Sequence, residues 1–541
     1  MPVTAYLHFT DSAPAYGGSF TEGIVGAPKY INPLLAQAND TDRDITALIF
    51  SGLTKFDENG ELVMDLAKTY DVSDDGLTYT FTLRDNIFWH DNEPITADDV
   101  VFTILTAQNE NYNSLHIINW KGVEVSKIDS RTIAFKLKNQ YAHFLNNTTL
   151  GIIPKHLWEN VKPVNFGLSD LNTKPIGSGP YKFEKLKKDE FGNIKEYELR
   201  AFKEYHDEGP FIKTIIFKFY MSEEDMLDAK NNGDINSLSV SSQGLKKIKF
   251  KQRATINKIK LPRYFSVFFN QNQSSALSDK NVRLALNYAT NKQELTNEIL
   301  GGNAEIVNSP ILSNLLGLKS PSISYSYDKN KAISLLEEKD WLLQSPENSE
   351  GTSKDEGELS PFRFKGEEED IEELRIELTT SDWPELLNIA TEIKKQWEEI
   401  GVGVDLQVLP LPELQQVIKE RQYEALLFGE VLNINIDPFS FWHSSEKKDP
   451  GLNLSLYDNK SADQLLENAR QTVSFDERMR VYEEFQDILI EDAPAVFLYS
   501  PDYLYVQPDK IKNNNTKIIS VPSERFGNIN KWYINTKRVF K

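Results

Sequence analysis

Between Leu374 and Gly429 the hydrophobic period switches repeatedly, and that succession limits the fold more than any other feature of the chain. Leu374, Ile376 and Leu378 alternate as in a strand. Leu386, Ala390, Ile393, Trp397 and Ile400 then recur at helical spacing, and Gly401 stops the helix. Val402, Val404, Leu406 and Val408 alternate again; a short helix near Leu414 to Glu420 follows, and then the apolar run Ala425 to Phe428. The order βαβαβ requires a parallel sheet with right-handed crossovers, and so predicts an α/β fold. Ligands of open parallel sheets bind beyond the carboxyl ends of the strands. Here those ends are Thr379 to Pro384, Leu409 to Pro412 and Gly429 to Trp442.

The remainder reads in pieces. From Gly52 to Arg84, the turn tetrads Asp57-Glu58-Asn59-Gly60 and Ser73-Asp74-Asp75-Gly76 flank short apolar runs, and Tyr79, Phe81 and Leu83 alternate. This predicts a small β-rich unit. Thr96 with Asp99 forms a capping box that opens a helix carrying Val100, Ile104 and Leu105. Pro175 to Tyr181 is too rich in Gly and Pro for the interior of any element, so a boundary is expected near Lys174. Ser278 to Ala289 predicts another helix, and Asn291 with Glu294 caps the next. Gln344 to Glu373, with Glu367-Glu368-Glu369-Asp370 near its end, reads as a solvated acidic insertion.

Composition removes whole classes of chemistry. With no cysteine, thiolate nucleophiles, Cys-ligated zinc and iron–sulfur clusters are excluded. A formal charge of -21 repels phosphate backbones and anionic lipid surfaces, so nucleic acid is not an expected partner. There is no run of 18 apolar residues. None of the seven histidines forms an HExxH or His-x-His pair, so no metal site is expected. Walker A, GxGxxG and GxSxG patterns are missing too, and no cofactor is expected. Gly177-Ser178-Gly179 is followed by Pro180 rather than by Lys-Ser/Thr, which argues against a phosphate loop. Paired carboxylates need no local spacing, so a carboxylate-dependent hydrolase stays open as an alternative to a non-enzymatic role.

What the predicted strand ends do carry is aromatic and amide chemistry: Trp383, Asn433, Asn435, Asp437, Phe439, Phe441 and Trp442. Such a cluster suits a ligand with apolar faces and hydrogen-bonding groups. An aromatic core with capped loops would need the same residues.

Several ordered landmarks resemble the family 5 extracellular solute-binding proteins, the peptide- and nickel-binding components of ABC importers. Gly52-Leu53-Thr54-Lys55-Phe56, Tyr79 to Asp91 and Thr96-Ala97-Asp98-Asp99-Val100 come first. Ile176 to Tyr181, Phe269-Asn270 before Asp279 to Leu286, Asp437-Pro438 before Phe441-Trp442, Tyr457-Asp458-Asn459 and Asp492-Ala493-Pro494 follow in the family order. The resemblance spans Gly17 to Tyr505 and implies a two-lobed clam of periplasmic-binding-protein type with a β-rich accessory domain. The first lobe would be residues 19–49, 174–270 and 495–541; the accessory domain 50–173; the second lobe 271–494, carrying the insertion at 344–373. Hinge crossings are expected near 269–271 and 494–496. The implied role is capture of an oligopeptide by lobe closure and delivery to an ABC permease in the membrane, by a monomer. Expected contacts are Tyr30, Ile31 and Asn32 from the first lobe, Tyr264, Phe268 and Asn270 near the hinge, and Trp383, Asn433, Asn435, Asp437 and Trp442 from the second. The same fold with an oligosaccharide or a metal chelate as cargo is the alternative.

Two departures qualify the resemblance. Peptide binders of the family commonly carry an acid a few residues before the Asp-Pro step, where it meets the ligand's α-amino group. Here Leu432-Asn433-Ile434-Asn435-Ile436 stands instead. A lost charge-assisted partner is worth roughly 1.5–3 kcal/mol. Asp437 either takes over that role or caps the turn ahead of Pro438. Second, Ala5 to Thr10 resembles the trailing edge of a removed signal or anchor, so an extracytoplasmic protein tethered to the outer face of the cytoplasmic membrane is expected.

Overall fold

The computed structural model describes residues 10–141, 143–249, 253–312, 318–343, 361–366, 371–432, 437–472 and 474–540. Contacts divide the chain into two compact units, Met1–Leu261 with Tyr503–Lys541, and Pro262–Asp502. The chain passes from one unit to the other at Leu261/Pro262 and at Asp502/Tyr503. Strand pairing accounts for the first: Arg263–Phe269 pairs along its whole length with Ala425–Val431, which ties it to the second unit.

In the first unit, Tyr181–Lys188, Ile194–Ala201 and Thr214–Tyr220 form an antiparallel run. Thr214–Tyr220 continues in parallel to Ser19–Val25, which pairs with Ser237–Val240. A separate four-stranded antiparallel sheet is built from Ala67–Val72, Thr78–Leu83, Thr132–Lys136 and Glu124–Lys127. Tyr79, Phe81 and Leu83 turn one face inward, as their alternation predicts, and are 8%, 0% and 1% exposed. The helix Ala97–Gln108 opens on the Thr96/Asp99 capping box. The Gly177-Ser178-Gly179 segment is a packing device: a Cβ on Gly177 would stand 2.0 Å from the carbonyl oxygen of Ile49, while Ser178 Oγ accepts from Ser51 N at 3.2 Å. Only glycine allows so close a backbone approach.

The second unit contains the βαβαβ motif. Its elements are β1 (Arg263–Phe269), β2 (Arg375–Ser381), α1 (Pro384–Glu398), β3 (Gly403–Leu409), α2 (Leu411–Glu420), β4 (Ala425–Val431) and β5 (Ala495–Pro508), of which residues to Asp502 belong to this unit. β2 pairs in parallel with both β3 and β4, so the spatial order is β3-β2-β4. β1 then runs antiparallel to β4 on one side and to β5 on the other. Leu386, Ile389, Ala390, Ile393 and Trp397 of α1 are buried against the sheet, and Gly401 ends the helix at φ +85°. Two elements run longer than their periodicity predicts. α2 starts at Leu411 because Pro412 fits the first helical turn, and β4 continues past Phe428 to Val431 through its pairing with β1. Most of the acidic insertion, including Glu367 to Asp370, lies outside the described residues, as do Ala5 to Phe9. Among the described residues no helix is long and apolar enough to cross a membrane, and no cluster of His, Asp and Glu is arranged to hold a metal ion.

Candidate functional site

The carboxyl ends of β2 and β4 open onto a cavity of about 570 Å³ within the second unit. Its geometry follows from local sequence. Asp382 N donates to Leu409 O at 3.0 Å and Trp383 N to Ser381 Oγ at 3.3 Å, which fixes the turn leaving β2. Pro384 then starts α1 with its φ already helical and no donor to satisfy. Trp383 consequently stands at the helix entrance, 46% exposed.

The walls are largely apolar. Phe265 of β1 stacks on Tyr499 with ring centroids 5.1 Å apart and lies 6.4 Å from the Trp383 ring. Gly429 of β4 is directly opposite Phe265 in the ladder, and a Cβ there would sit 2.8 Å from the ring. The missing side chain is what lets the phenyl ring lie across the strand. Leu411 and Val431, also in the lining, expose 51% and 60% of their surface. Large apolar residues left open around a concavity mark a place where apolar ligand surface can be buried.

Asp382 and Glu430 are the acids of the lining, and because side chains alternate along β4 the Glu430 carboxyl turns to the face of the sheet opposite Phe265 and Gly429. Glu430 is only 3% exposed, and its partner across the ladder is Tyr264, whose hydroxyl donates to Glu430 Oε2. Glu430 Oε1 has no hydrogen-bond partner. Burial pushes the carboxyl well above its usual range, against the smaller opposing effect of the Tyr264 hydrogen bond.

The residues expected from sequence are distributed as follows. Trp383 is at the cavity. Tyr264, Phe268 and Trp442 are buried in the second unit, with Phe268 6.2 Å and Phe497 5.7 Å from the Trp442 ring. Asn270 is buried too; its amide donates to Arg421 O at 2.9 Å and its side-chain oxygen accepts from Asn272 N at 3.1 Å. Asn433 and Asn435 lie outside the described residues. Asp437 is engaged by the guanidinium of Arg470, Oδ2 accepting from NH2 at 2.7 Å and from Nε at 2.9 Å, and Oδ1 also accepts from Phe439 N at 3.3 Å. In the first unit Tyr30 is half-buried with the Lys29 ammonium 4.9 Å from its ring. Ile31 is buried and its N donates to Asn172 O at 2.8 Å. Asn32 is buried, donating to Asn172 Oδ1 at 3.1 Å and accepting from Leu34 N at 3.0 Å.

Sequence reasoning missed Phe265; Leu411, Gly429, Glu430 and Val431 lay within the expected strand-end segments but were not singled out as contacts. A charged residue closing the apolar run of β4 was the available signal for Glu430. The places of Phe265, Gly429 and Val431 follow from pairing between β1 and β4, whose members are more than a hundred and fifty residues apart.

Comparison with known proteins gives a consistent picture. The model of the bacterial extracellular solute-binding proteins, family 5 Middle, matches residues 61–453. Oligopeptide-binding protein AppA of Bacillus subtilis is 27% identical over 532 residues, which cover 96% of this chain and 92% of AppA. The solved structure of AppA in complex with a nonapeptide superposes with a TM-score of 0.72 at 26% identity, covering 97% of this chain and all of that one (100%). The dipeptide-binding protein of Escherichia coli is 25% identical over 511 residues, 87% of each protein. NikZ of Campylobacter jejuni, solved with Ni(L-His), gives a TM-score of 0.73 at 28% identity, covering 95% of this chain and 99% of NikZ.

Proposed function

The chain belongs to the bacterial extracellular solute-binding proteins of family 5, and on that premise we propose that it captures oligopeptides outside the cytoplasmic membrane and delivers them to an ABC importer. The observation that carries the peptide reading is the aromatic-walled cavity beside Trp383 and Phe265. Its volume of about 570 Å³ exceeds that of any single amino-acid side chain and lies within the usual range for ligand pockets. An extended peptide can satisfy its backbone by hydrogen bonding while an apolar side chain enters such a pocket. AppA, solved with a nonapeptide, supports the same class of cargo.

Asp437 bears on how the peptide is held. Arg470 already saturates much of its carboxylate through a forked pair, which supports a turn-capping role rather than capture of a free amino terminus. Affinity then comes from apolar burial and backbone pairing. The role is carriage rather than turnover, with an ABC permease as the protein partner and a monomer as the working form.

Isothermal calorimetry with a pool of tri- to pentapeptides, free and N-acetylated, tests the reading. Binding of leucine- or phenylalanine-containing peptides, with free and acetylated forms within about tenfold of each other, is expected. No heat and no thermal shift at millimolar peptide would remove the peptide assignment. A loss above a hundredfold on acetylation would return the amino-anchoring role to an acid such as Asp437.

A further inference from the structure

The chain's charge is divided unevenly. Pro262–Asp502 holds 44 of the 81 acidic and 22 of the 60 basic side chains, a formal charge of -22, which leaves +1 on the other unit. Within that first unit, residues 235–261 contain no Asp or Glu at all. Lys246 and Lys247 end the helix Ser242–Lys247, Lys249 and Arg253 follow, and all four side chains are exposed. The next strand, Ala254–Lys260, runs beside the segment after β5: Asp509 N donates to Arg253 O at 3.4 Å and Lys260 N to Lys517 O at 2.8 Å. Lys510, whose ammonium donates to Ser19 O at 3.5 Å, and Lys512 follow Asp509 in that segment and are exposed. Asp509 is an acid within this strip, its carboxylate accepting from Thr255 Oγ1 at 2.8 Å, and Glu223 accepts from Ser241 N and Oγ at 2.7 and 2.9 Å at the start of the Ser242–Lys247 helix. At the far end Lys517 meets the acidic turn around Glu58, so the strip stops short of it.

We propose that this lysine-rich face of the first unit rests on a membrane surface bearing anionic lipid headgroups. Two lysines at a helix end also complement the helix dipole, but that role does not call for Lys249, Arg253, Lys510 and Lys512. The chemistry of the strip suits lipid better than a protein. It is dominated by lysine, a mobile point charge, whereas protein interfaces are poor in lysine and rich in arginine and aromatic anchors. Ile256, 38% exposed, is the one large apolar side chain exposed on the strand. A diffuse negative plane needs no pocket, only a concentration of cations within a Debye length. The same plane repels the unit carrying -22, which would bias the protein to approach by its first unit. From the family reading this takes only the extracytoplasmic location, and it holds or fails independently of what the cavity binds.

Co-sedimentation of the full chain with phosphatidylglycerol-containing vesicles, beside pure phosphatidylcholine vesicles, tests the proposal. Binding to the anionic vesicles alone is expected, falling steeply as salt is raised from about 50 mM to about 500 mM. The variant Lys246→Glu/Lys247→Glu/Lys249→Glu should partition about tenfold less or weaker still, with unchanged thermal midpoint and peptide affinity. Lys394→Glu/Lys395→Glu, in the second unit, should partition like the wild type. Equal binding to both lipids, no binding to phosphatidylglycerol, or an equal loss in both variants would overturn it. So would a triple variant that binds lipid as the wild type does yet lowers uptake in cells, since the face would then serve a protein.

Discussion

Tyr264 and Glu430 face each other across neighbouring strands, and the buried tyrosine hydroxyl donates to a buried carboxyl on the face of the sheet opposite Phe265. No cation answers that carboxyl among its described partners: burial raises its pKa, and Tyr264 supplies the hydrogen bond. In the unfolded chain it would titrate near 4.5. Between that value and its raised folded value the native state binds the extra proton. Its contribution to stability is therefore complete below about pH 4.5 and declines as pH rises.

Glu430→Gln removes this titration while keeping the shape and the acceptor. The variant should match the wild type near pH 4 and become more stable than it as pH rises to 8, the gap growing by at most about 1.4 kcal/mol per pH unit. Urea melts at several pH values measure it. A constant difference across the range would mean that Glu430 is ionised in the folded protein.

Trp383 supplies the most exposed aromatic surface of the cavity. Trp383→Ala should weaken binding of peptides with a large apolar side chain by about 10- to 100-fold, the range usual for an aromatic anchor. Because the residue precedes α1 and makes no side-chain cap, the thermal midpoint should move little. Calorimetry beside a thermal melt separates the two effects.

Gly429 admits the Phe265 ring. In Gly429→Ala the new Cβ would meet that ring at 2.8 Å and force it from its stack on Tyr499. The expected cost is about 1–3 kcal/mol of stability, with bulky-side-chain peptides losing more affinity than alanine peptides. A Gly429→Ala/Phe265→Leu double variant should recover most of the stability.

In the first unit, Arg525 is 1% exposed between Asp44, which it binds through both terminal nitrogens at 2.7 Å, and Glu22 at 3.1 Å. Arg525→Met leaves two buried carboxyls without their cation. A loss of about 3–5 kcal/mol at pH 7 is expected. Both acids can take up protons, so the loss should shrink at pH 5, which a pair of denaturant titrations would show.

Local sequence determined a good deal. The period changes from Leu374 onward predict β2, α1, β3 and α2 in order, and the rule of parallel sheets then places a ligand site beyond Ser381 and Gly429, where the cavity is. Thr96 with Asp99 and Gly401 mark helix ends because capping is decided within a few residues. Tertiary structure decided what the site is made of. Whether Phe265 meets Gly429, or Tyr264 meets Glu430, depends on β1 being inserted between β4 and β5, a pairing between distant segments that leaves no periodic trace. Asp437 was open between two roles in the sequence, and its forked contact with Arg470, on a helix 33 residues further along, supports the turn-capping one. Helical and strand periods report which face of an element is buried; they carry no information about which distant element buries it, and that second fact sets both the shape of the cavity and the surroundings that raise the pKa of Glu430.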